Sequence, residues 1–134
     1  MSELEPWVRQ PFPNFGPDNE VRAAVTDLGR AKFFYVDKLG CEVLKSSDSE
    51  ALITGGLLRG KLLLRVACRG KLPPGVKLPV LWTTIFLGGT RELFRDFEFS
   101  GVKIVEPFHE TESGRCEFTI ADPDGNMISF SGPP

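Results

Sequence analysis

Glu117-Phe118-Thr119-Ile120-Ala121-Asp122-Pro123-Asp124-Gly125-Asn126-Met127-Ile128-Ser129-Phe130 is the stretch on which the reading of the fold turns. Two short apolar alternations flank Asp-Pro-Asp-Gly-Asn. Proline presets φ for the first corner of a tight turn, and Gly125 and Asn126 tolerate positive φ. The segment therefore predicts a β-hairpin.

Working back from that hairpin, the same order of elements occurs twice. Val21–Val25 reads as a strand. Asp27 is placed to cap a helix over Leu28–Leu39, whose apolar stripe is Ala31, Phe34, Tyr35 and Leu39, and Gly40 supplies a left-handed stop. Strands over Cys41–Lys45, Ala51–Thr54 and Lys61–Cys68 follow, with glycine pairs in the turns. After a Pro/Gly-rich connector, Lys71–Pro79, comes a strand over Val80–Leu87. Thr90 is expected to cap a helix reaching about Phe97, and strands follow at Val102–Pro107, Arg115–Ala121 and Asn126–Ser131. A repeat of this size outweighs any single local signal. It predicts an α+β fold of two β-α-β-β-β modules, residues 20–70 and 78–132. Their eight strands would form a curved mixed sheet around a cleft, with the helices on the outer face. Residues 1–19 read as an irregular arm ahead of one domain over 20–134.

Composition narrows the function. At 134 residues with 41% hydrophobic and 25% charged residues, the chain is long enough for one packed core of ordinary globular make-up. A net charge of −2 with interspersed signs and no basic aromatic run argues against a nucleic-acid partner. No apolar stretch has the length of a membrane helix. Charges and prolines within Met1–Phe15 stand where a secretion signal would have an apolar core. Cys41, Cys68 and Cys116 are odd in number and widely spaced, which suits buried thiols of a reducing compartment. A cytoplasmic location is the expectation. Gly55–Leu62 has the GxxxxGK spacing of a phosphate loop. Leu62 stands where Ser or Thr would be needed, and a strand follows rather than a helix, so a hairpin turn is expected.

Order and motifs together resemble the glyoxalase / bleomycin-resistance protein / extradiol dioxygenase superfamily. The matching pieces are Val25-Thr26-Asp27-Leu28, Phe33-Phe34-Tyr35, Lys38-Leu39-Gly40-Cys41-Glu42-Val43 and the Phe118–Phe130 hairpin, so that the resemblance spans about residues 20–131. In enzymes of this family four strand positions hold a divalent metal. Carried over by spacing, these fall on Glu20, Arg65, Trp82 and Ser129. Only Glu20 is a good ligand, since a guanidinium repels a cation and indole is only a donor. The resemblance thus implies no metal and no other cofactor. It points to the metal-free, bleomycin-resistance-like branch, which binds and sequesters small molecules. A divergent lyase, isomerase or dioxygenase, or a module serving as an interaction partner, stands as the alternative. A homodimer is also implied.

If those positions face a cleft, strand alternation assigns Glu20, Arg22, Arg65, Trp82, Phe86, Met127 and Ser129 to a ligand of aromatic or anionic character. For Arg65 three readings stand open: an ion pair with Glu20 replacing the metal, a clamp on a ligand's anion, or plain solvent exposure. Trp82 is either core or interface packing, or a stacking wall. His109, the one histidine, is expected on a hairpin loop as an exposed polar residue, a rim contact or a lone acid–base group.

Overall fold

A computed structural model of the chain describes residues 20–58, 60–66 and 81–134, with Glu20 described in its backbone alone. The expected arm 1–19, the connector Lys71–Pro79 and Cys68 lie outside the described residues. The order is β1 (Glu20–Val25), α1 (Leu28–Leu39), β2 (Glu42–Ser46), β3 (Glu50–Thr54), β4 (Lys61–Val66), β5 (Trp82–Phe86), α2 (Thr90–Phe99), β6 (Lys103–Glu110), β7 (Cys116–Ala121) and β8 (Met127–Gly132). The repeat is present: strand, helix and three strands, twice.

The eight strands fall into two four-stranded sheets, ordered β1-β4-β3-β2 and β5-β8-β7-β6. Each module pairs its first and last strands in parallel and the rest antiparallel. The two sheets share no strand pairing among the described residues. Each helix packs on one face of its own sheet, α1 over β2, β3 and β4, and α2 over β6, β7 and β8. Alternation along the strands sorts side chains between that covered face and the opposite, open one. Val21, Ala23, Val25, Leu62, Leu64, Ile85, Ile128 and Phe130 are buried in a core that runs through both modules. Phe94, Phe97, Phe118 and Phe130 form an aromatic chain beneath α2, with ring centroids 5.2–6.0 Å apart.

α1 is delimited as its sequence predicts. Asp27 accepts from the Arg30 N–H at 3.0 Å, Gly40 closes the helix at φ 70°, and Ala31, Phe34, Tyr35 and Leu39 are buried with Leu28. α2 differs. Its N-cap is Gly89 at φ 72°, without a side-chain cap, and Thr90 is the first helical residue and buried. The left-handed corner that turns β5 into α2 requires glycine at that position, which moves the cap one residue earlier than the hydroxyl suggests. β6 also runs past Pro107 to Glu110. It is an edge strand and the ladder is irregular between Glu106 and His109, so the missing proline N–H costs no ladder bond there. β3 and β4 are antiparallel neighbours, in keeping with a hairpin.

The Asp-Pro-Asp-Gly-Asn turn does more than reverse the chain. Asn126, 1% exposed, donates from Nδ2 to the Ala24 carbonyl at 3.1 Å and to Asp122 Oδ2 at 2.9 Å, and its Oδ1 accepts from the Leu81 N–H at 2.9 Å. Asp122 also accepts from the Tyr35 hydroxyl at 2.8 Å, and Asp124 accepts from the Thr26 N–H and hydroxyl at 3.1 and 2.6 Å. Ala24, Thr26 and Tyr35 belong to the first module. The hairpin turn of the second module is a clasp on the first.

Candidate functional site

The open face of the second sheet carries a chemically continuous strip. Across β7, β8 and β5 the registers align Ala121, Met127 and Trp82, then Thr119, Ser129 and Thr84, then Glu117, Ser131 and Phe86. Trp82 is 39% and Phe86 60% exposed, large aromatics standing on an otherwise polar floor. The Trp82 indole N–H donates to Ser129 Oγ at 2.8 Å, and Ser129 shares a 2.7 Å hydrogen bond with Thr119 Oγ1. The indole is therefore held at one edge by its own donor.

His109 lies in β6, opposite Glu117, rather than on a hairpin loop. Its Nε2 is 3.0 Å from Glu106 Oε1 and its Nδ1 2.9 Å from the Pro107 carbonyl. Arg115, which the sequence reading did not single out, crosses β8: its Nε donates to Ser131 Oγ at 2.8 Å and its guanidinium carbon sits 5.4 Å from the Phe86 ring centre. Residues 113–115 read as turn and strand start, so nothing local marked Arg115. Only the register shows it beside Ser131.

On the first sheet, Arg22 is exposed and aligned with Leu63. A groove of about 480 Å³ is lined by Lys45, Ser46, Ser47, Glu50, Leu52 and Leu63. Arg65 and Glu20 are not strand neighbours. Glu20 aligns with Lys61 and Arg65 with Ala24, a separation of about 13 Å along the strand at ~3.3 Å per residue. The acid opposite Arg65 is Glu50, whose Oε1 is 4.0 Å from Arg65 Nε, with both side chains about a third or more exposed. At that distance and exposure the pair contributes less than about 1 kcal/mol. The structure thus brings Trp82 into direct contact with Ser129, and places Phe86 and Met127 on the same sheet face. Arg22 and Arg65 stand on the other sheet.

The repeat also corrects one assignment. Glu20 stands as far before the α1 cap Asp27 as Trp82 stands before the α2 cap Gly89. Glu20 aligns with Lys61, and Trp82 with Met127. The first-module counterpart of Ser129 is then Leu63, and Arg65 corresponds to Ser131. Spacing alone could not supply this, because the length of the 55–60 turn sets where β4 begins.

Burial shifts the ionisable groups inside the clasp. Desolvation first, then the Asp122 carboxylate, raise Tyr35 well above its usual range. Burial raises Asp122, although hydrogen bonds from Asn126 and Tyr35 oppose this. Burial also pushes the Cys41 thiol from 9.0 up to about 11. Cys41 and Tyr35 hold their protons more tightly folded than unfolded, so the unfolded chain releases them first and stability falls with rising pH. Urea midpoints should decline between pH 9.0 and about 11, and Cys41→Ala should flatten that decline relative to its own neutral-pH value. A midpoint constant across the interval would contradict the buried-thiol account. Asp122 follows the same sign in acid: its raised carboxyl favours the fold below 3.8, a contribution lost as pH rises.

A family model for the glyoxalase/bleomycin resistance protein/dioxygenase superfamily matches residues 19–130. The chain belongs to this superfamily. Among solved structures it is similar to TioX from Micromonospora sp. ML1 (TM-score 0.71, 19% identity, 89% of this chain and 100% of that one). It is similar also to a lactoylglutathione lyase from Agrobacterium tumefaciens (TM-score 0.69, 20% identity, 87% and 94%). A third is a glyoxalase/bleomycin resistance protein/dioxygenase from Alicyclobacillus acidocaldarius (TM-score 0.67, 19% identity, 93% and 94%). At such identities the likeness is one of fold. No curated protein matches the sequence. No helix among the described residues is long and apolar enough to cross a membrane.

Of the residues that the resemblance assigns to metal positions, Glu20 alone has a good ligand side chain for a divalent ion. Trp82 presents an N–H already given to Ser129, the Ser129 hydroxyl is committed to Trp82 and Thr119, and Leu63 or Arg65 supplies hydrocarbon or a fixed positive charge. Among the described residues no three His, Cys, Asp or Glu side chains are grouped as a metal site would require.

Proposed function

We propose that this protein binds and sequesters a small molecule without a metal, in the manner of the bleomycin-resistance branch, from the cytoplasm. The observation that carries the reading is the pair of exposed aromatics Trp82 and Phe86 on the open face of β5, above a floor of hydroxyl groups. Such walls bury flat ligands well and position no electrophile. Glu20, Arg22 and Arg65 contribute from the first sheet, Met127 and Ser129 from the second.

The binding unit is a homodimer. β1 and β5 are both edge strands, and each leaves one side of its ladder unpaired among the described residues. A second copy would cover those edges and the exposed aromatics together.

Native mass spectrometry of the protein as purified tests both points. The expected species is a dimer carrying a small organic compound, lost or weakened on Trp82→Ala, and light scattering should agree at micromolar concentration. A monomer would overturn the dimer, and stoichiometric metal required for binding would overturn the metal-independent reading. A second reading, a metal-independent acid–base catalyst, draws on the 3.0 Å contact of His109 with Glu106 on that same sheet. A binder releases its compound unaltered, whereas a catalyst converts it and loses conversion on His109→Gln.

A further inference from the structure

We propose that Arg115 is the anion clamp of this sheet face and that its ligand is a flat apolar carboxylate. The inference rests on the ligand-binding reading above and names the chemistry of that site.

Arg115 is fixed at both ends. Its N–H donates to Thr111 Oγ1 at 3.2 Å and its carbonyl accepts from the Thr111 N–H at 2.7 Å, which locks the backbone at the entry to β7. Its side chain lies across β8, with Nε donating to Ser131 Oγ at 2.8 Å and the guanidinium set against the Phe86 ring. Ser131 is fully buried, so the hydroxyl that steers Nε is itself immobile. A guanidinium has five N–H donors and keeps its charge at every physiological pH. Ser131 takes one donor. Among the described residues the two terminal nitrogens of Arg115 have no hydrogen-bond acceptor and no carboxylate. Other arginines are committed differently: Arg65 faces Glu50, and Arg30 meets Thr26 and Asp124.

A planar fork held by its Nε and its ring contact is preorganised for the two oxygens of a carboxylate. The rest of the ligand follows from β5. Phe86 and Trp82 stand about 13 Å apart on one face, at ~3.3 Å per residue, with Thr84 between them. A fused-ring acid held by Arg115 would lie over Phe86 and extend along Thr84 towards Trp82. Glu117 aligns with Ser131 on the same face and adds negative charge beside the clamp. That favours a singly charged carboxylate over a phosphate dianion.

The test uses the full chain with 2-naphthoate and its uncharged analogue 2-naphthamide, read by isothermal calorimetry. Wild type should prefer the acid by about tenfold or more, the scale of a hydrogen bond to a charged group. Arg115→Gln should bind both probes alike, at the level of the amide. Arg115→Lys keeps the charge without the fork and should show an intermediate preference, and it provides the readout if Arg115→Gln fails to fold. Equal binding of acid and amide by wild type, or an Arg115→Gln or Arg115→Lys protein with the full wild-type preference, would overturn the clamp while leaving the ligand-binding reading intact. Failure of wild type to bind either probe at millimolar concentration would overturn both.

Discussion

Asn126→Ala should lower stability by about 4 kcal/mol, because three buried groups each lose a bond at once at a cost of roughly 1–3 kcal/mol each. The Leu81 N–H and the Ala24 carbonyl lose the Asn126 amide, and Asp122 Oδ2 is left with the Tyr35 hydroxyl. The first two belong to opposite modules, so the loss loosens the joint between them as well as the turn. Urea denaturation with a linear extrapolation measures it. The unfolding should also become less cooperative, with near-UV signals from the two modules separating. A loss below about 1 kcal/mol would mean that water replaces the amide without strain and that the clasp is not what joins the modules.

Gly56→Ala should be comparably severe, costing at least about 3 kcal/mol through backbone strain and overlap together. Gly56 adopts φ 59° in the β3–β4 turn, and an added Cβ would strike the Leu39 carbonyl oxygen and Gly40 at the end of α1. The neighbouring Leu57 N–H donates to that same Leu39 carbonyl at 3.0 Å, so the turn cannot swing away without breaking the bond. Gly55→Ala is the matched control. Gly55 also has positive φ, at 83°, but its Cβ would meet nothing within 4 Å, which leaves the strain alone at about 1–2 kcal/mol. Thermal or urea midpoints of the two variants separate contact from strain. Equal losses would show that the close approach to α1 carries no cost.

These two positions show where sequence reading reaches and where it stops. Asn126 was legible as a turn residue tolerant of unusual φ. Its larger role, hydrogen-bonding Ala24 across 102 residues of chain, was not. The site divides in the same way. The facing of Arg22, Trp82, Phe86, Met127 and Ser129 followed from alternation. Strand register, which spacing does not give, aligns Arg65 with Ala24 and Glu50 and Glu20 with Lys61. His109, expected on a hairpin loop, lies in β6, whose irregular edge ladder runs past Pro107 to Glu110. Arg115 carried no local signal at all.

By itself the sequence determined the repeated β-α-β-β-β order and the extent of α1 through Asp27 and Gly40. Each depends on periodicity or on a cap within a few residues, interactions that the chain cannot satisfy in any other way. The tertiary structure alone decided which residues stand side by side. Those neighbours follow from turn lengths, ladder irregularities and the docking of two modules, and so from contacts between segments whose separation in sequence carries no information about their separation in space.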